Sequence, residues 1–297
     1  MENKVKKTNI LKYIILCLLI ITLIIVAGYF ILNSVFKEDI VANIGEKNID
    51  ISIQSDEELQ LVKAEKFEIP EHISATVPIF MYHFILDDYG NFPDTENFLK
   101  PETLEEQLKY ISENGYDTIY IDELDDLYKY DKPVALTFDD CFVYFYDNAF
   151  PLLKKYNQKA TIFIITDYIN GENYLTEDQL KEIADSGLVK IESHTKTHDY
   201  LDEMTYEEQL EQAVESKERL ESITGQEVSV YCYPTGRYNQ TTLDIIKDYY
   251  DFGLEMLGGV YDSDVDTNPY QIPRIYANRS MSLSTFASYL EQSRVYY

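Results

Sequence analysis

No tryptophan occurs in the 297 residues, and cysteine and histidine are scarce, at three and four. The cysteines, Cys17, Cys141 and Cys232, are too few and too scattered for a disulfide framework. Basic residues are short as well: 25 Lys and Arg stand against 53 Asp and Glu, a net charge of −28. Nucleic acid binding needs cations against phosphates, so that class of partner is excluded. No internal repeat is present. Without tryptophan, ring contacts to a ligand fall to the 27 tyrosines. These are scattered, and biased composition explains them more simply than a binding stripe does.

Long apolar runs are missing too, with one exception. Tyr13–Leu32 is an uncharged, mostly apolar stretch of 20 residues, long enough to span a bilayer as a helix. Lys4, Lys6, Lys7 and Lys12 precede it, which orients the N-terminus to the cytoplasm. The run is longer than a signal-peptide core and no small-x-small site follows, so an uncleaved anchor is expected. The expected organisation is a cytoplasmic N-terminus (1–12), a transmembrane anchor (13–32), an acidic, weakly patterned stalk (33–76) and one folded domain (77–297) outside the cell membrane.

Within that domain, Val134-Ala-Leu-Thr-Phe-Asp-Asp140 is a short apolar run that ends in two carboxylates, the pattern of a buried strand. Burying unpaired charge is costly, so Asp139 and Asp140 belong at the strand's end, facing a site. Neighbouring side chains on an extended segment diverge, so one can bind a metal while the other handles protons. His194 and His198 stand at i, i+4 and can meet one ion if their segment is helical or tightly turned. A solvated polar turn is the plainer alternative. One Asp with two His leaves a coordination position open for water, the catalytic pattern. Such ligands suit Zn²⁺ first, with Co²⁺, Ni²⁺, Fe²⁺ and Mn²⁺ not excluded.

Around these motifs, strands and helices alternate, which implies a parallel sheet covered by helices. Capping boxes are expected at Thr103–Glu106, Thr176–Gln179 and Thr205–Glu208, with Gly115 and Gly187 as helix stops. The candidate groups His83, Asp139, Asp140, His194 and Thr235 all fall just after strands, where barrels of this kind carry their sites. If the Asp and Tyr233-Pro234 motifs line one cleft, Cys141 and Cys232 are neighbours, and a disulfide between them is one expectation.

Leu136-Thr-Phe-Asp-Asp140 followed by Ser193-His-Thr-Lys-Thr-His198 resembles the polysaccharide deacetylases with the NodB homology domain, carbohydrate esterase family 4. The resemblance runs from about Val77 to about Leu290. It includes Pro78-Ile-Phe-Met-Tyr-His83, Asn114-Gly-Tyr116, Leu175-Thr-Glu-Asp-Gln-Leu180, Tyr233-Pro-Thr-Gly236 and Ile272-Pro-Arg-Ile275. The first and last of these look most like the branch acting on poly-N-acetylglucosamine. The resemblance implies an α/β fold, a distorted, incomplete (β/α) barrel of about seven strands. It assigns Asp140, His194 and His198 to the metal and Asp139 to the general base. It places Tyr233, Pro234 and a backbone N–H near Thr235 at the substrate's oxyanion.

Four departures matter. Cys141 stands where the family has glycine. The arginine usual before the Tyr-Pro pair is missing, and Arg274 is the candidate partner for Asp139. No tryptophan forms the apolar wall, which leaves Met256 or Leu257. No histidine follows His198, so His83 is the candidate general acid, unless it is structural and Asp139 serves as both base and acid.

The implied activity is metal-dependent N-deacetylation of an N-acetylglucosamine polymer, with poly-N-acetylglucosamine the first substrate and peptidoglycan the second. A catalytically weak carbohydrate-binding protein and an O-acetyl esterase are the competing readings. An acidic surface would retain the cationic product, although a generic solvated surface accounts for the charge as well.

Overall fold

A computed structural model describes residues 73–87, 96–140 and 142–296. The anchor, most of the stalk and Cys141 lie outside the described residues. Among those described, no helix is long and apolar enough to cross a membrane.

The described chain begins with β1 (Ser74–Val77) and β2 (Ile79–Tyr82), then a short pair, β3 (Phe84–Ile85) and β4 (Phe98–Leu99). Helices and strands then alternate. Helix α1 (Pro101–Glu113) leads to β5 (Asp117–Ile119) and β6 (Pro133–Phe138), and α2 (Phe150–Tyr156) to β7 (Ala160–Ile164). Next, α3 (Glu177–Asp185) leads to β8 (Val189–Ser193), α4 (Tyr206–Thr224) to β9 (Val230–Cys232) and α5 (Gln240–Ile246) to β10 (Phe252–Leu254). β11 (Tyr261–Asp262), β12 (Ile275–Tyr276), α6 (Leu283–Leu290) and β13 (Arg294–Tyr296) complete it.

Seven parallel strands run in the order β10-β9-β8-β7-β6-β2-β12, with β5 added against the start of β6. The end strands β10 and β12 do not pair with each other, and a single bridge between Leu254 and Ile272 lies between them. This is the incomplete barrel that the sequence implies. Every residue of β2, β6 and β7 is buried, as expected of parallel strands covered on both faces. Alternate residues divide between two cores. Phe80, Leu136 and Ile162 meet the helices, while Ile79, Ala135, Phe163 and Val230 fill the barrel interior.

Two expectations are corrected. Ser74–Thr76 belong not to a stalk but to β1, which pairs antiparallel with β11 and β13, so the folded domain includes residues upstream of Val77. The box at Thr103 does not form. Helix α1 starts earlier, behind Lys100, with Pro101 in its first turn, where a missing N–H costs nothing. The boxes at Thr176 and Thr205 form as expected.

Candidate active site

The parallel strands deliver the candidate groups to one end of the barrel. His83 follows β2, the two aspartates follow β6, His194 follows β8 and Tyr233 follows β9. A cleft of about 130 Å³ brings together His83, Asp139, Asp140, His194, His198, Tyr233, Thr235 and Arg274. Of the expected site residues only Pro234 is missing from its lining; it is buried and shapes the turn that presents Thr235. Asn97 and Met256 also line the cleft. Leu257, the other candidate for the apolar wall, does not.

Period-two alternation puts Ala135, Thr137 and Asp139 on the inner face of β6 and its extension. There Asp139 meets Arg274, which donates from Nη1 to Oδ1 at 2.7 Å and from Nη2 to Oδ2 at 2.8 Å. The two are 3% and 1% exposed, so this is a buried bidentate pair. Arg274 also donates to Thr137 Oγ1 (3.1 Å), Cys232 Sγ (3.2 Å) and the Glu255 carbonyl (2.7 Å), which fixes its fork in place. Burial alone would raise Asp139. The charge and hydrogen bonds of Arg274 outweigh it and hold the carboxyl well below the usual range. Asp139 is therefore an oriented, ionised carboxylate at neutral pH.

Asp140 points elsewhere. Its Oδ1 lies 3.3 Å from His194 Nε2 and 3.4 Å from His198 Nε2. The ligand atoms of these three residues all lie within 4.8 Å of one another. Their segment is the tight turn, not a helix: Thr195 and His198 have φ of 68° and 64°, and the His198 N–H donates to Thr195 Oγ1. His194 Nδ1 lies 2.9 Å from the Cys232 carbonyl, so it carries the proton that it donates there, and Nε2 faces Asp140. Burial opposes charge on His194, yet Cys232 and Asp140 raise it well above its ordinary value. Burial and the neighbouring His194 push His198 down, toward the neutral form.

Asp140 Oδ1 itself is buried with no hydrogen-bond partner. Only the two imidazole Nε2 atoms face it, at 3.3 and 3.4 Å, and a cation among the three groups would relieve its charge. The donor set therefore fits a divalent ion held by Asp140, His194 and His198. Asp139, His194 and Cys232 also cluster, but Arg274 already engages both Asp139 oxygens.

Backbone strain concentrates here. Seven non-glycine residues have positive φ among those described, and three are Asn, which tolerates it. The other four are Asp140 (64°), Thr195 (68°), His198 (64°) and Thr235 (56°), all at this site. Each costs of order 1–3 kcal/mol, a cost that recurs where geometry serves function.

His83 has a buried Nδ1 with no partner, and its ring sits edge-on to Tyr276. Burial lowers His83, against the pull of Asp139 and Asp140. One neighbour escaped the sequence reading. Asn97 accepts a hydrogen bond from the Tyr276 hydroxyl, a contact between distant segments that no local pattern marks. Cys232, expected beside the cleft, is a buried free thiol among the described residues and sits against Arg274, while Cys141, its expected disulfide partner, lies outside them.

Comparison with known proteins agrees with this arrangement. A family model for polysaccharide deacetylases matches residues 128–252. The chain is 32% identical over 255 residues to YxkH of Bacillus subtilis, whose polysaccharide deacetylase name is provisional; the match covers 84% of this chain and 86% of that one. It is 33% identical over 160 residues to a poly-beta-1,6-N-acetyl-D-glucosamine N-deacetylase of Staphylococcus epidermidis, covering 48% of this chain and 54% of the relative. Among solved structures, BC0361, a polysaccharide deacetylase from Bacillus cereus, aligns with a TM-score of 0.68 at 32% identity, over 73% of this chain and 69% of that one. The Streptococcus pyogenes deacetylase PplD, in complex with acetate, aligns with a TM-score of 0.68 at 28% identity, over 73% and 99%.

Proposed function

Because the chain belongs to the polysaccharide deacetylase family, and is thus a hydrolase of amide-linked acetyl groups, we propose that it removes N-acetyl groups from an N-acetylglucosamine polymer at the cell surface. Poly-N-acetylglucosamine is the first choice of substrate, and the name of the Staphylococcus epidermidis relative supports it. The observation that carries the reading is the unpartnered Asp140 Oδ1 between two imidazole nitrogens, beside the Arg274-held Asp139. The proposed location is the outer face of the cell membrane, with Tyr13–Leu32 as the anchor.

Asp140, His194 and His198 would hold one divalent ion, zinc first. Bound there, such an ion supplies Lewis acidity toward water and the acetyl carbonyl. The rest falls to the protein's own groups. Asp139, fixed by Arg274, takes a proton from the attacking water. The strained turn at Thr235 presents its backbone to the carbonyl oxygen as charge develops there. The Tyr233 hydroxyl is committed to the Tyr270 carbonyl at 2.7 Å, so this side chain serves as wall rather than acid. In this reading His83 is protonated when substrate is bound, hands that proton to the departing nitrogen and regains one from Asp139. One water is consumed, and acetate and a free amine remain. A second reading gives Asp139 both proton transfers. The burial that keeps His83 neutral favours it.

The test is acetate release from N-acetylglucosamine oligomers of β-1,6 and β-1,4 linkage, with metal stripped and then restored. Asp139→Asn should cut kcat by about 10²–10⁴-fold, the usual contribution of a general base. A comparable loss in His83→Ala assigns the acid to His83, and full activity assigns both roles to Asp139. No release with any metal would leave a carbohydrate-binding protein. A preference for β-1,4 oligomers would shift the substrate to peptidoglycan.

A further inference from the structure

A second groove opens beside the cleft. It encloses about 530 Å³ between Thr235, Gly236, Tyr238, Glu255, Met256 and Leu257, and it shares Thr235 and Met256 with the cleft. A polymer with one sugar in the cleft would reach this groove with a neighbouring sugar. The walls approach closely because residue 236 is glycine: its φ is +70°, and a Cβ there would stand 2.9 Å from that of Met256.

The lining offers two surfaces. One is apolar: Met256 and Leu257, the latter 59% exposed, can underlie the flat face of a pyranose. The other is the carboxylate of Glu255, the one charged group in the lining. It is well positioned. The Tyr238 hydroxyl donates to Oε1, and Tyr238 is itself held by Gln271 (2.6 Å) and by packing on Tyr233 at 4.4 Å. The Glu255 backbone is pinned at both ends, with its N–H on the Ile272 carbonyl and its own carbonyl on Arg274.

Yet among the described residues no cation pairs with the Glu255 carboxylate. Arg237 is spent on Asp202 and Glu203, and Arg274 on Asp139. A fixed, unpaired carboxylate beside an apolar platform complements a sugar that carries an ammonium group. N-deacetylation makes such a sugar.

We propose that this groove is a subsite for a glucosamine unit, already deacetylated, next to the N-acetylglucosamine unit under attack. The proposal rests on the N-deacetylase reading above. It makes the enzyme work beside its own products, so that free amines accumulate in runs rather than at scattered positions.

The test uses the full chain and N-acetylglucosamine pentamers that carry one glucosamine at the central unit. Mass-spectrometric sequencing after limited turnover locates the next unit to lose acetate. Wild-type protein should attack a unit adjacent to the glucosamine more often than E255Q does, by about two- to five-fold, the worth of a partly exposed ion pair. High salt should narrow the difference. General attraction to an acidic protein favours no position, so a bias that is absent, or that survives in E255Q, overturns the proposal. Should no pentamer lose acetate, the N-deacetylase reading fails first. The subsite is then decided by affinity: an Asp139→Asn chain should bind the glucosamine-containing pentamer more tightly than the fully acetylated one, and equal affinity overturns it.

Discussion

Glu192 poses the residue-scale question of a carboxyl group placed where water cannot reach. It is fully buried near the end of β8. Its Oε2 accepts from the Ser229 and Val230 N–H groups at 2.9 and 2.8 Å, while Oε1 has no partner. Burial pushes the group well above the usual carboxylate range, against those two hydrogen bonds. Between the unfolded value of about 4.3 and the raised native value, the native state holds a proton that the unfolded chain has released. Stability from Glu192 is thus full below that lower bound and is lost as pH rises through the native value. Glu192→Gln keeps the acceptor and removes the titration. The variant should match wild type near pH 4 and exceed it near pH 8 in urea midpoint. Parallel pH profiles for the two proteins would refute a neutral Glu192. The sequence offered no sign of this residue's state, because an acidic side chain inside a strand declares itself only when its neighbours are known. Asn97 was hidden for the same reason. Asp139, Asp140, His194 and His198 were legible because their chemistry is written in local spacing.

At the scale of elements, the caps show how local signals compete. Thr205 accepts from the Glu208 N–H, and the Glu208 side chain reaches back to the Thr205 N–H. Thr205→Ala should lose about 1 kcal/mol of stability. Thr103 carries the same sequence signature but lies inside α1, so Thr103→Ala should change stability by less than about 0.5 kcal/mol. Chemical denaturation of both variants checks the pair, and equal losses would mean that α1 begins where its sequence box suggests. Pro101 outranked that box because proline in a first turn fits the helix without a side-chain cap. The alternation of strands and helices, and the parallel sheet it implied, were readable because β2, β6 and β7 are mostly apolar runs, while the count of seven strands came from the family resemblance. The strands of the small antiparallel sheet, β1, β11 and β13, were not. They are short, partly exposed and paired across the length of the domain, so no window of sequence contains both partners.

For the whole molecule, that small sheet matters most. β1 pairs with β13 at Ser74↔Tyr296, Ala75↔Val295 and Thr76↔Arg294, so the first described strand is held by the last. Removing residues 293–297 should cost roughly 2–4 kcal/mol, at about 1 kcal/mol per net hydrogen bond, and bare the edge of β1. Urea titration and light scattering would measure both effects. Acetate release by the surviving folded fraction should persist, since none of these residues lines the cleft. A truncated chain as stable as the parent would make β13 an ornament. The pairing also sets a timetable. A chain that emerges from synthesis N-terminus first can form α1 to α5 and their strands as each appears, but one edge of β1 stays open until β13 arrives. Completion of the small sheet thereby waits on β13, and a product broken off before it carries an exposed strand edge.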